Sequence, residues 1–269
     1  MDFKFRYGPW ALVAGASEGT GASFARQLAA RGLNLILVAR RVEPLTALSR
    51  QIETDYGVDC MAASIDLTQF DAADKLAAIA GDREVGLLVL NAGADATGAR
   101  FLDTELVNWE ALVMRNVMTV MRACYRFGGP MRDRKRGGIL LCGSGACYAG
   151  FPGIATYAGT KAFDLIFGEA LWGELQPHGV DVLNLIMGRT DTPAHREIMA
   201  RQGLALPPDC ASADDVATLG IERLPHGPVC NWGLDDSDAG FAGISAADRR
   251  RRIAQIAQLA FSGKDTIDE

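Results

Sequence analysis

The sequence predicts an α/β fold: a doubly wound parallel sheet of about seven strands with helices on both faces. Three observations carry that expectation. Short apolar runs alternate along the chain with longer segments whose apolar residues recur at helical spacing. The runs are apolar throughout, as strands covered on both faces must be. The first of them leads at once into the glycine-rich GASEGTG and then into a helix-patterned segment.

Trp10 to Ala14, bounded by Pro9 and Gly15, is the first strand. Gly15, Gly19 and Gly21 form the turn, and Phe24, Leu28 and the alanines carry a helix that Gly32 stops. Glycine lets backbone approach a pyrophosphate, and a helix N-terminus offers N–H groups to it, so this is the context of a dinucleotide site. The spacing is GxxxGxG where the general motif has GxGxxG. Leu33 to Ala39 is the second strand, followed by Arg40 and Arg41. An acid at that strand end would favour NAD, whereas arginine accommodates the 2′-phosphate of NADP. Ala39 stands in the acid's place, so NADP is favoured and NAD is less well suited.

A helix over about Pro44 to Tyr56 leads to VDCMAASI and then Asp66 and Leu67, where Asp66 is read equally as a cap of the next helix. That helix covers Gln69 to Ala80. VGLLVLNAG gives a fourth strand closed by Asn91 and Gly93, at the edge where open α/β sheets bind ligands. One long helix is expected from about Thr104 to Met131, with Leu106, Trp109, Leu112, Val113, Val117, Val120 and Met121 as its apolar stripe. Asn116 sits inside it and, taken alone, reads as a surface residue or local hydrogen-bonder. RDRKRGG reads as a solvated turn.

GGILLCGSG is the fifth strand, with Ser144 at its carboxyl end. Ala155 to Gln176 is the next helix, with Phe163, Ile166, Phe167, Ala170 and Leu171 as its apolar contacts, and Pro177-His-Gly ends it. VDVLNLIMG is the sixth strand; a loop and helix after Thr190 include His195, read as a lid or surface residue. SADDVATLGIERL is a capped helix, PVCNW a short last strand, and DRRRRIAQIAQLAF an amphipathic closing helix. Ile253, Ile256 and Leu259 are expected to dock, and the arginines at 249 to 252 to lie in solvent. No linker or fixed-period repeat divides the chain, so residues 1–269 read as a single NAD(P)-binding domain. Within it, about 189–210 is a substrate loop and about 240–262 a helical extension.

Composition narrows the function. The formal charge of −6 and the absence of an aromatic-plus-basic stripe argue against nucleic acid. Six cysteines show no CxxC pair or zinc spacing, so no metal is expected and reduced thiols are. Lys4 and Arg6 before WALVAGA briefly imitate a signal peptide, but the run is short and glycines follow. No run approaches the ~18 residues of a membrane span, and a soluble cytoplasmic protein is expected.

The stretch from Ser144 to Lys161 carries the chemistry. Tyr157 and Lys161 are four apart, on one helix face. A free tyrosine is a poor acid-base catalyst near neutrality, and a cation held nearby favours tyrosinate and brings the phenol into a useful range.

These features together resemble the classical short-chain dehydrogenase/reductase family over about residues 8 to 192. The motifs are GASEGTG, the Asp66-Leu67 pair, NAG, Asn116, Ser144 thirteen positions before the tyrosine, and YAGTK. The resemblance implies a Rossmann-like fold and an NADP(H)-dependent carbonyl reductase or alcohol dehydrogenase. It implies Tyr157 as acid or base, Lys161 on that phenol and on the nicotinamide ribose, Ser144 on the substrate oxygen, and Asn116 on a relay water. Gly15, Ser17, Gly19 and Thr20 would line the phosphates, and Arg40 and Arg41 the 2′-phosphate. Asp66 and Leu67 would border adenine, Asn91 and Gly93 the adjoining ribose, and Gly188, Thr190 and Thr192 the nicotinamide side. A homodimer or homotetramer through the two long helices is also implied.

The chain departs from the family pattern at Ala14 for threonine, Met187 for proline, and Glu18 where NADP-preferring members carry a basic residue. Cys147, Tyr148, Phe151, Ile154, Met187 and Met199 are the expected pocket walls, mostly apolar, and predict a hydrophobic ketone or alcohol as substrate. A catalytically silent NADP-binding sensor or scaffold is the competing reading, since fold alone does not fix function. A nucleotide-sugar epimerase would need a larger region than the roughly 75 residues after Thr192 offer.

Overall fold

The computed structural model describes residues 2–95, 97–150, 152–201 and 203–261. Seven strands, β1 (Trp10–Ala14), β2 (Asn34–Ala39), β3 (Cys60–Ser64), β4 (Val85–Leu90), β5 (Gly137–Ser144), β6 (Val180–Met187) and β9 (Val229–Asn231), form one sheet ordered β3-β2-β1-β4-β5-β6-β9. Every pairing in it is parallel. The order reverses direction between β1 and β4, and their carboxyl ends flank the crevice where open α/β sheets bind ligands.

The apolar runs are strands because both of their faces are covered. In β1, Ala11 and Val13 pack into one core with Phe24 and Leu28 of α2 (Gly19–Ala30) and Leu45, Leu48 and Ile52 of α3 (Val42–Tyr56). Leu12 and Ala14 point the other way, to a core with Leu76 of α4 (Ala72–Ala80). Successive residues therefore serve opposite layers, and both layers need apolar atoms.

The expected long helix is interrupted. It runs as α5 (Leu106–Val113), one π-helical segment over Met114–Met118, and α6 (Thr119–Asp133). The stripe is correspondingly narrower: Trp109, Leu112 and Val120 are buried, whereas Leu106, Val113 and Met121 are exposed. On α7 (Ala155–Leu175), Ile166 and Ala170 likewise face outward, and Leu165, Gly168 and Leu175 face in. Asp66 does not cap α4; its Oδ1 accepts from the Thr68 N–H at 3.0 Å and hydroxyl at 2.9 Å, a local turn.

Two arginine runs expected in solvent are structural in part, with Arg132, Arg251 and Arg252 exposed as expected. Arg134 and Arg136 bond Glu84, with further bonds to the carbonyls of Val85 and Phe5. In α10 (Ala246–Phe261), Arg249 bonds Glu169, and Arg250 bonds the carbonyls of His226 and Gly227 and the carboxylate of Asp236. The side chains of Ile256 and Leu259 lie outside those described, while Ile253 packs toward Gly173.

A short helix α1 (Phe3–Tyr7) is anchored across the sheet: Arg6 and the Tyr7 hydroxyl each donate to Asp181, both at 2.6 Å. Asp181→Asn is expected to cost about 2 kcal/mol by removing the charge these donors share. A lowered urea midpoint with unchanged m would record it. Among the described residues no helix is long and apolar enough to cross a membrane.

Candidate functional site

The groove opens at the carboxyl ends of β1 and β4. Gly15 has φ +88°, and a Cβ placed on it would lie 2.7 Å from the Ala92 nitrogen. A Cβ on Gly21 would lie 1.9 Å from the Gly15 carbonyl oxygen, so only glycine fits that crossing. The Asn91 amide donates to the same oxygen at 3.0 Å, tying the turn to the end of β4. α2 starts directly after this turn, and its N-cap residue Glu18 makes no side-chain cap bond. The close backbone and the helix N-terminus fit a pyrophosphate, which answers whether a dinucleotide suits the residues present.

Glu18 is instead paired with Arg41, at 2.5 Å, and Arg41 also reaches the Ser17 hydroxyl at 3.4 Å. Arg40 is exposed beside this pair, close enough for its charge to act on Asp66 and Arg115. Both arginines are exposed, and of the two Arg41 is held by Glu18. Thr192 crosses from the other side of the groove: its Cγ2 would lie 2.9 Å from a Cβ on Gly19. Thr190 lies in β7 (Thr190–Asp191), paired with β8 (Ala211–Ser212), which fastens both ends of the loop carrying α8 (Pro193–Arg201). Gly188 packs near Trp232. His195 sits on this loop with Nδ1 3.0 Å from the Thr190 carbonyl oxygen. Thr20 is buried at the start of α2, and Leu67 is buried with its carbonyl accepting from Thr119 at 2.9 Å.

Deeper in, three sequence-predicted residues meet. Asn116, 1% exposed inside the π segment, donates from Nδ2 to the Gly93 carbonyl and the Thr160 hydroxyl, each at 3.0 Å. Lys161 Nζ would lie 2.9 Å from a Cβ on Gly93. That clearance exists because residue 93 is glycine. The extra residue of the π turn rotates Asn116 inward, where a regular helix carrying the same apolar pattern would place it differently. Thr160 passes the chain of bonds on, donating to the Tyr157 carbonyl at 2.8 Å. Ser144 ends β5, where its hydroxyl accepts from the Ala146 N–H at 3.3 Å, and the short turn that follows packs on α7.

Lys161 is enclosed, yet its ammonium keeps its charge. Burial lowers its pKa, but Asp164 and then Tyr157 raise it, and the net direction is up. At Asp164 burial raises the carboxyl pKa and Lys161 lowers it, with the net direction up. Two residues here were not read from the sequence. Asp164 follows Lys161 by three, a same-face spacing that was available as a signal. Arg115 precedes Asn116 and donates to its Oδ1 at 3.1 Å and to the Ala94 carbonyl at 2.6 Å. Burial, then Arg40, lowers the Arg115 pKa.

Of the expected pocket walls, Cys147, Tyr148, Ile154, Met187 and Met199 are partly exposed, and Phe151 lies outside the described residues. The Tyr148 hydroxyl donates to Asn231 at 2.8 Å, under the guanidinium of Arg249. Met187 pairs in register with Ser144 and packs on the core. Among the described residues no group of three or more His, Cys, Asp or Glu could hold a metal ion.

The fold and this groove define an α/β nucleotide-binding protein. The sequence profile described as short chain dehydrogenase matches residues 9–203, and the chain belongs to that oxidoreductase family. A 7beta-hydroxysteroid dehydrogenase of Clostridium sardiniense is 32% identical over 72% of this chain and 74% of its own. A very-long-chain 3-oxoacyl-CoA reductase of Podospora anserina is 37% identical over 65% of this chain, which spans about half (53%) of that relative's length. The short-chain dehydrogenase of Sphingobium yanoikuyae, solved in complex with NADPH, superposes with a TM-score of 0.78 at 27% identity, covering 95% of this chain and 96% of that one.

Proposed function

We propose that the protein is an NADP(H)-dependent oxidoreductase that interconverts a carbonyl and a secondary alcohol on a hydrophobic substrate, with Tyr157 as acid or base. The observation that carries the reading is the convergence of Gly93, Asn116 and the charged, enclosed Lys161 one helical turn from Tyr157. Bound nicotinamide supplies or accepts the hydride. The chain's own groups manage the proton and the orientation. In reduction, Tyr157 Oη gives its proton to the carbonyl oxygen while Ser144 holds that oxygen by a hydrogen bond. Lys161 stabilises the phenolate left behind and holds the ribose side of the cofactor. Asn116, fixed by its bonds to Gly93 and Thr160, supports proton return from solvent. Gly15, Ser17, Gly19 and Thr20 hold the phosphates, Asp66, Leu67 and Asn91 the adenosine, and Gly188, Thr190 and Thr192 the nicotinamide side.

The relatives named for a hydroxysteroid and a long-chain 3-oxoacyl thioester support a bulky apolar substrate. The partly exposed apolar side chains of Ile154, Met187 and Met199 suit one. The whole chain acts as one unit in this reading, with 189–210 as the substrate loop and 240–262 as a helical extension. Self-association through α5–α6 and α7 is part of this reading, supported by exposed apolar residues on those helices, Leu106, Val107, Val113, Met121 and Ile166; Leu106 and Val113 line an open recess of about 580 Å³ with Phe101, Trp109, Met114 and Met118.

The test is parallel NADPH and NADH kinetics over a panel of carbonyls and alcohols. Turnover faster with NADPH and rising with substrate apolarity is the expected outcome. Binding of NADPH with no turnover anywhere on the panel would instead identify a silent NADP-binding protein. The arginine pair gives a sharper version. Arg40→Ala is expected to weaken NADPH binding by about tenfold and NADH binding hardly at all, as loss of a charge-assisted phosphate contact does. Glu18→Gln, which releases Arg41, is expected to act in the opposite direction. Equal effects on both cofactors would remove the arginines from phosphate recognition.

A further inference from the structure

The proposed chemistry needs a positive charge on Lys161, and the fold puts that charge where little solvent reaches it. The Lys161 side chain is 5% exposed. Burial of this degree works against an ammonium. Its Nζ has three N–H donors. One goes to the Cys142 carbonyl at 2.8 Å and one to Asp164 Oδ2 at 3.0 Å, which leaves one toward Gly93 and the groove. Asp164 is itself 3% exposed, and its Oδ1 is buried with no hydrogen-bond partner. A buried carboxylate satisfied on one oxygen is a poor way to gain stability, because its desolvation is incompletely repaid.

We propose that Asp164 is a positioning residue for the reaction: through its 3.0 Å bond to Nζ it keeps the enclosed ammonium charged, and with the Cys142 carbonyl it turns the remaining N–H of Lys161 toward the groove. The inference rests on the reading of Tyr157 and Lys161 given above. It names a counter-ion where the family resemblance supplied only the lysine.

The other titratable groups around the pair come from five elements. Tyr157 lies one turn back on α7, and Arg115, from the π segment, faces it. Cys142 faces Lys161 from β5, Cys147 from the turn after Ser144, and Cys124 faces Asp164 from α6. Burial pushes the thiols of Cys142 and Cys147 up to about 12 and raises Cys124 further, so all of them are neutral in the working range. Asp164, which Lys161 draws toward its charged form against the pull of burial, is the carboxylate in contact with the ammonium, and no thiolate substitutes for it.

Asp164→Asn keeps the shape and removes the charge. Burial then acts on Lys161 without its largest counterweight, and the ammonium gives up its proton more readily as pH rises. Two readouts follow the charge: kcat for alcohol oxidation, and the NADPH dissociation constant from cofactor fluorescence. Relative to wild type, the variant is expected to lose about tenfold in kcat at pH 7 and about tenfold more by pH 9, with NADPH affinity declining over the same interval. Asp164→Glu is expected to restore most of both. Asp164→Ser, which admits water in place of the carboxylate, carries the same expectation if the Asn variant does not accumulate as folded protein. A variant-to-wild-type ratio that stays constant from pH 7 to pH 9, in kcat and in affinity, would overturn the proposal and leave Asp164 a packing residue. Tyr157→Phe separates the two readings: full turnover in that variant refutes the proton role of Tyr157, while the binding arm still reports on Asp164.

Discussion

Tyr157→Phe is expected to lower kcat by about 10³-fold, within the range that a positioned acid-base group contributes, while leaving NADPH affinity within about threefold. The ring remains to fill its place on α7, so the substitution deletes one hydroxyl and little else. The bonds that fix its surroundings do not involve that hydroxyl: Thr160 donates to the Tyr157 backbone carbonyl, and Asn116 donates to Thr160. The environment of Lys161 therefore persists in the variant, anchored by Asp164 and Cys142. Single-turnover kinetics with NADPH already bound isolate the chemical step. A kcat within about tenfold of wild type would reject Tyr157 as the proton donor.

Gly21→Ala is expected to cost about 3 kcal/mol and to lower Tm by roughly 6–12 °C, because the new Cβ meets rigid backbone. It would sit 1.9 Å from the Gly15 carbonyl oxygen and 2.7 Å from the Asn91 amide nitrogen. Both atoms belong to the bond that joins the glycine turn to the end of β4. The strain cannot be absorbed by a side-chain rotation, so the turn must move, and NADPH affinity should fall by at least about tenfold with it. Gly129→Ala in α6 is the matched control, since nothing lies within 4 Å of its Cβ. There, the higher helix propensity of alanine should leave stability unchanged or improved. Equal Tm values for wild type and Gly21→Ala would remove the close crossing.

The doubly wound parallel sheet and the positions of its strands were legible because they are written in local patterns. Apolar runs of a strand's length, bounded by glycine or proline, have few alternatives in a chain of this composition. β1, β2, β4, β5 and β6 fall within a residue or two of the expected runs. Ser212 was legible as a helix cap for the same reason, and it accepts from the Asp215 N–H at 3.0 Å. The misreadings have a common cause. A helical apolar stripe looks the same whether its residues face a core or an exposed flank, so Leu106, Met121 and Ile166 were assigned to packing. A run of arginines looks solvated until its partners are placed. Those of Arg249 and Arg250, Glu169 and the carbonyls of residues 226 and 227, are far away in sequence.

The candidate site divides along the same line. Sequence alone determined the family, the sheet, the glycine turn and the spacing of Tyr157 and Lys161 on one helix face, because those depend on backbone conformation and on neighbours within a turn or two. Only the tertiary structure decided that Arg41 is held by Glu18, that the helix opens into a π turn at Asn116, and that Lys161 is enclosed against Gly93 with Asp164 beside it. The physical reason is burial. The charge and direction of a side chain depend on which distant elements exclude water from it, and that exclusion is settled only when β4, β5 and α7 come together.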